Sequence, residues 1–133
     1  MERTFQRSFD SLNGIFAYLE KFFSREGIGA DHQYAVRLAV EELFTNMVKY
    51  QPGNPNEILL DLRRLDDRIE VSLTDFDVDP FDITQVAEVR VDRPVEQRRP
   101  GGLGIHLIKK MIDRIDYEYA GRRSKTTFIK MLE

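Results

Sequence analysis

The sequence predicts an α+β fold, a two-layer sandwich of helices on a mixed, mostly antiparallel sheet. Three observations carry this. Ile69, Val71 and Leu73 alternate with Arg68, Glu70 and Ser72, just after the apolar run Ile58-Leu59-Leu60 and the turn-forming pair Asp66-Asp67. That is a strand, a tight turn and a strand with one buried and one wetter face. Two amphipathic helical stretches precede this hairpin, and two more strand-like stretches close the chain. Helices and strands therefore segregate instead of alternating as βαβ units, which layers the helices on one face of the sheet.

The elements follow in order. Residues 3–9 alternate loosely, with Phe5 and Phe9 among polar neighbours, and read as an edge strand. Asp10 or Ser11 caps a helix over residues 12–25, whose apolar stripe is Ile15, Phe16, Leu19, Phe22 and Phe23. Gly27-Ile28-Gly29 ends it. Asp31 caps a longer helix to about Tyr50, where Gln51-Pro52-Gly53 stops it. The hairpin comes next, and Asp75 closes its second strand. Residues 82–89 read as a short helix, and residues 90–100, charged and holding Pro94 and Pro100, as a mobile loop. A further helix opens from the glycines at 101–104. Strands at about 116–119 and 126–132 close the fold through Gly121-Arg122-Arg123-Ser124. No repeat, low-complexity tract or linker interrupts residues 1–133, which read as one domain.

Composition narrows the function classes. A chain of 133 residues can bury one sizeable core, and a 41% hydrophobic fraction with nine Phe and five Tyr suits a folded globule. Lys plus Arg number 20 against 23 Asp plus Glu, a net charge of −3 that leaves no footprint for direct nucleic-acid binding. The absence of Cys excludes a disulfide framework, a thiol nucleophile and a cysteine metal site. No apolar run reaches membrane-span length, and Met1-Glu2-Arg3-Thr4-Phe5 lacks the apolar stretch of a signal peptide. The expectation is a cytoplasmic protein with no membrane partner.

Chemistry concentrates in three places. Arg98-Arg99-Pro100-Gly101-Gly102-Leu103-Gly104 runs into Ile105-His106-Leu107-Ile108. Such a glycine-rich segment brings backbone N–H groups and the partial positive charge of a helix N-terminus to a phosphate. Taken alone, it is equally a simple turn. On a wheel at about 100° per residue, Val36, Val40, Leu43, Phe44 and Met47 share one side of the second helix, with Ala39 and Tyr50 beside them. Arg37, Glu41 and Thr45 take the opposite side, and Glu42 and Asn46 lie one turn apart at the border. A carboxylate and a carboxamide so spaced either point into one cleft, to hold Mg²⁺ or a hydroxyl to be deprotonated, or form an ordinary hydrogen bond along a polar border. Lys49 follows one turn later, with an ammonium suited to phosphate.

The third place is Asp75. A rigid sheet aims a strand-end carboxylate, and this one suits an amine such as that of adenine; the alternative is a turn aspartate heading Asp75-Phe76-Asp77-Val78-Asp79. That acidic run lacks the glycine and distal glutamate of an EF-hand, and Pro80 cuts it, so calcium is not expected. His32 and His106 are too few for zinc. Neither a Gly-x-Ser-x-Gly elbow nor a Gly-Lys-Ser/Thr phosphate loop is present.

Taken in order, Glu42-x-x-x-Asn46, Asp75, Pro80-Phe81-Asp82, Gly101-Gly102-Leu103-Gly104 and Thr126-Thr127 resemble the GHKL superfamily of Bergerat-fold ATPases. Within it the chain is most similar to the anti-sigma factor serine kinases of the RsbW type, above all across residues 100–108. The resemblance implies ATP and Mg²⁺ as cofactors. It implies Asn46 as the Mg²⁺ ligand and Glu42 as general base toward a protein serine. It implies Lys49 at phosphate, with Tyr50 completing an Asn-x-x-Lys-Tyr pattern. Asp75 would read the adenine amine, Gly101, Gly102, Leu103 and Gly104 would lie against the triphosphate, Thr126 would hold the adenine-bound water, and residues 90–100 would form a lid. It further implies a sigma factor and a STAS-domain anti-anti-sigma protein as partners, and a homodimer, for which the N-terminal strand and first helix with exposed Phe residues form the candidate surface.

The first glycine box departs from the pattern. Asp77 stands where the family has glycine, with one extra residue before Pro80. A side chain and a negative charge beside adenine predict a weakened nucleotide grip or a reshaped loop. The chain then reads as a kinase and anti-sigma factor, or as a catalytically weak partner-binding module of the same fold. A detached histidine-kinase domain is a third reading, but no second helical hairpin carries a phosphoacceptor histidine, and His32 sits at the start of the helix that bears the motif.

Overall fold

The computed structural model describes residues 1–51, 53–80 and 102–132. Strands β1 (Glu2–Phe5), β2 (Ile58–Leu65), β3 (Arg68–Phe76), β4 (Arg114–Ala120) and β5 (Arg123–Met131) form one sheet in the order β1-β2-β3-β5-β4. All four junctions are antiparallel, so the described sheet contains no parallel pair. Helices α1 (Leu12–Glu26), α2 (Ala30–Tyr50) and α3 (Gly102–Met111) supply the second layer.

The expected alternation sets the layers. Ile69, Val71 and Leu73 are buried against the helices, and Arg68, Glu70 and Ser72 take the other face. Leu65 pairs with Arg68, so Asp66-Asp67 is a two-residue hairpin loop. The second hairpin turns on Gly121 (φ 58°) and Arg122 (φ 58°), with Ala120 paired to Arg123. Two successive positive φ values give the primed turn whose twist matches that of the strands.

The core lies between the layers. Phe22 and Phe23 of α1, Phe44 of α2 and Phe128 of β5 are its largest fully buried side chains. Burial of each such side chain contributes roughly 1.5–3 kcal/mol. Ile108 and Ile112 carry the α3 side into the same core. Gly27 ends α1 in the left-handed conformation (φ 65°), and the Ile28 N–H donates back to the Phe23 carbonyl at 3.0 Å. Ile28 then drops into the core, as a helix-terminating glycine followed by an apolar residue does.

Several boundaries differ from the sequence reading. The first strand ends at Phe5, and a 3₁₀ turn occupies Phe9–Ser11. Ser8 breaks the strand: its side-chain oxygen accepts from the Asp10 N–H and its own N–H bonds the Gln6 carbonyl. Ser11 precedes α1 but its hydroxyl donates to the Gln6 carbonyl instead of capping the helix. Gly29, not Asp31, is the N-cap of α2; Asp31 sits inside the first turn, where its charge complements the helix dipole. β4 extends to Ala120 and β5 starts at Arg123, both nearer the turn than expected, because the primed turn needs only Gly121 and Arg122. Of the phenylalanines in β1, α1 and the turn between them, only Phe9 is exposed, so the apolar surface expected there reduces to one side chain. The short helix expected at 82–89 and the loop at 90–100 lie outside the described residues.

Candidate functional site

A narrow cleft with a cavity of about 30 Å³ lies between α2 and the sheet. Leu43, Asn46, Met47, Tyr50 and Gln51 line one wall; Asp75, Val78 and Asp79 line another; Ser124 and Thr126 close it from β5. Three sequence-predicted regions, separated by up to eighty residues (46, 75 and 126), thus meet in one place.

Asn46 is a polar residue in the apolar stripe of α2 and only 3% exposed. Its Nδ2 donates to the Glu42 carbonyl at 2.7 Å and to Glu42 Oε1 at 3.1 Å. The one-turn hydrogen bond forms, and Asn46, but not Glu42, lines the cleft. With the amide nitrogen committed to Glu42, the carbonyl oxygen is the atom that Asn46 offers a cation. Glu42 itself is half-buried and borders the cleft without lining it.

Asp75 lies one residue inside the end of β3, in the middle strand of the sheet, and is 3% exposed. Its carboxylate is gripped end-on by Arg7: Nη2 contacts Oδ1, and Nη1 donates to Oδ2 at 3.2 Å. Nη1 also donates to the Met47 carbonyl at 3.0 Å, while Nε is buried with no hydrogen-bond partner among the described residues. Arg7 therefore joins the segment after β1 to α2 and β3. Sequence reasoning missed it, since one arginine in a polar segment carries no signal of a buried partner sixty-eight residues away.

Thr126 and Ser124 are both buried, and β5 delivers them through its register, in which Thr126 opposes Leu73 and Ser124 opposes Asp75. The Ser124 hydroxyl donates to the Tyr117 hydroxyl at 2.8 Å. Ser124 was also missed; only strand register identifies it.

The altered glycine box keeps the glycine conformation. Asp77 has φ 55°, in the left-handed region that aspartate tolerates better than most residues. Asn54 donates to the Phe76 and Asp77 carbonyls at 3.2 Å each, which fixes the turn. The Asp77 side chain points away from the cleft and accepts from Arg122 Nε at 2.9 Å; Arg122 Nη1 donates to Asp79 Oδ1 at 3.2 Å. These hydrogen bonds, Asp77 first and Asp79 second, push the Arg122 guanidinium pKa up. The intruding side chain expected from sequence is thus turned outward.

Lys49 is exposed and stands outside the cleft lining, whereas Tyr50 is half-buried and lines it. Gly102, Leu103 and Gly104 form the first turn of α3, so the helix begins within the glycine run and not after it. Gly101 and Phe81-Asp82 lie outside the described residues. Among the described residues no group of three His, Asp or Glu gathers to hold a metal. Mg²⁺ is compatible with this, because it is held by one or two protein oxygens together with phosphate and water. No described helix is long and apolar enough to cross a membrane.

Comparison with known proteins gives concordant likenesses. A family described as the histidine kinase-like ATPase domain matches residues 5–130. The serine-protein kinase RsbW of Staphylococcus aureus is 31% identical over 121 residues, covering 84% of this chain and 76% of that one. RsbW of Halalkalibacterium halodurans is 28% identical over 97 residues, and the match spans 59% of its length. The crystal structure of the RsbU and RsbW domains of Rv1364c from Mycobacterium tuberculosis has the same fold, with a TM-score of 0.68 at 12% identity; it covers 98% of this chain and 32% of that one.

Proposed function

Because the chain belongs to the histidine kinase-like ATPase family, on the branch of the anti-sigma factor serine-protein kinases of the RsbW type, we propose that it transfers phosphate from ATP to a serine of a STAS-domain anti-anti-sigma protein and sequesters a sigma factor. The observation that carries this reading is the convergence of Asn46, bonded to Glu42, with Asp75 and Thr126 on one cleft. Adenine enters between Met47 and Thr126 with its amine toward Asp75. Asn46 Oδ1 faces the phosphates, and the α3 N-terminus, through Gly102, Leu103, Gly104 and the neighbouring Gly101, lends its N–H groups to them. Lys49 reaches the same phosphates from the cleft rim.

Glu42 then acts on the serine. Its Oε1 is held by Asn46, which orients the carboxylate, and its partial exposure leaves it open to a protein substrate. The serine proton passes to Glu42 as the serine oxygen bonds the γ-phosphorus and the bond to the β–γ bridging oxygen breaks, releasing ADP. Asn46 Oδ1 would hold Mg²⁺, which would neutralise charge on the phosphates. A phosphoserine on the antagonist weakens its contact with the kinase by repulsion and desolvation. The protein works in the cytoplasm, as a homodimer.

Labelled ATP and a STAS partner test this directly. Wild type transfers label to the partner, and Glu42→Gln lowers the rate by roughly 10²–10⁴-fold while nucleotide binding stays unchanged. Partner binding without any transfer would replace the kinase with the alternative, a binding module of the same fold.

A further inference from the structure

The Arg7–Asp75 pair asks for an explanation beyond stability. Both side chains are 4% exposed, and Arg7 Nε has no hydrogen-bond partner among the described residues. Buried ion pairs add little stability over apolar replacements, and a buried donor without an acceptor subtracts from it. What the pair does supply is direction. A carboxylate offers about four lone-pair sites, two on each oxygen. The end-on fork from Nη1 and Nη2 takes the one on each oxygen that lies along the carboxylate axis. The remaining two diverge sideways, so the cleft sees a single acceptor and never a parallel pair. The Met47 carbonyl holds Nη1 from the opposite side and keeps the guanidinium from swinging away.

Purines differ in what they require here. A 6-aminopurine presents one exocyclic amine to the carboxylate. A 2-amino-6-oxopurine presents two parallel donors, N1–H and the 2-amine, and pairs best with a carboxylate whose two axial lone pairs are free. We propose that Arg7 is a specificity-determining positioning residue: by occupying the paired edge of Asp75 it restricts the cleft to adenine nucleotides and rejects guanine nucleotides. The inference rests on the reading of this cleft as a nucleotide site.

Calorimetric titration with ADP and GDP tests it. Wild type binds ADP in preference to GDP. Arg7→Lys retains a positive charge but grips one oxygen only, so GDP binding tightens and the ADP/GDP preference falls at least tenfold. Arg7→Met is the harsher variant, and since it strands the buried Asp75, thermal unfolding establishes that each variant is folded before its ratio is read. A purely structural role lowers both affinities together and leaves the ratio unchanged; that result overturns the inference while the nucleotide site stands. Equal binding of both nucleotides by wild type overturns it as well. Wild type that binds neither nucleotide overturns the underlying reading, and the role of Arg7 with it.

Discussion

Restoring the family's glycine at position 77 is a revealing perturbation, because sequence and geometry disagree about it. From sequence, Asp77 brings a side chain and a charge to the adenine, and Asp77→Gly tightens binding. In the structure, Asp77 has φ 55°, its side chain lies outside the cleft lining, and Arg122 neutralises its charge. The stability terms nearly cancel. Leaving the left-handed conformation to a glycine relieves roughly 1 kcal/mol of Cβ strain. The greater freedom of glycine in the unfolded chain takes back about 0.5–1 kcal/mol. The exposed contact with Arg122 is screened by water and adds little. The expected result is a stability change within about 0.5 kcal/mol in urea unfolding. ADP affinity by calorimetry stays within about threefold, which is under 1 kcal/mol. Tenfold tighter ADP binding by Asp77→Gly would refute the outward placement and reinstate the intruding side chain.

Other perturbations follow from single contacts. Asn46→Ala removes two hydrogen bonds to Glu42 and the carbonyl oxygen beside the phosphates. Stability falls by about 1–2 kcal/mol, and ATP affinity becomes the same with Mg²⁺ and with chelator; a Mg²⁺ effect that survives contradicts the site. Asp75→Asn leaves the Arg7 guanidinium buried without its counter-charge, for a loss of about 3–5 kcal/mol in denaturant unfolding. A loss under about 1 kcal/mol means that Arg7 escapes to solvent. Burial first, then Asp61, pushes the Tyr18 pKa above its ordinary 10.0. The folded state then keeps a proton that the unfolded chain gives up, so the stability is fully present below that ordinary value and is lost as pH rises past it toward the folded value. Tyr18→Phe flattens this alkaline limb, and an unchanged slope between neutral and strongly alkaline pH argues against the assignment.

Periodicity made the helices, the central hairpin and their layering legible. Two-residue alternation in Arg68, Ile69, Glu70 and Val71 and the glycine stop at Gly27 are local signals, and local signals survive folding. The helix wheel likewise placed Asn46 at the border of the apolar face of α2, and the fold buries it. Arg7 and Ser124 were illegible for the opposite reason. Their roles exist only through pairing across the sheet, and nothing in their neighbours specifies Asp75 as a partner. The outward turn of Asp77 was not legible, because residue type fixes what a side chain carries but not where φ aims it.

The register between β3 and β5 has a kinetic consequence. Ser72 and Thr127, whose hydroxyls lie 3.1 Å apart, are separated by 55 residues. The β2–β3 hairpin forms from near neighbours, but β1, which pairs Phe5 with Ile58, and the wall that carries Ser124 and Thr126 arrive only when long loops close, a step whose entropy slows folding. The cleft is therefore complete only once that slow closure is made, and a nucleotide binds after it. A nucleotide that binds it holds the finished molecule shut and slows unfolding, while the refolding rate stays what it is without ligand. Stopped-flow refolding and unfolding with and without ADP separate the two limbs, and faster refolding with ADP would put the cleft inside the folding nucleus instead.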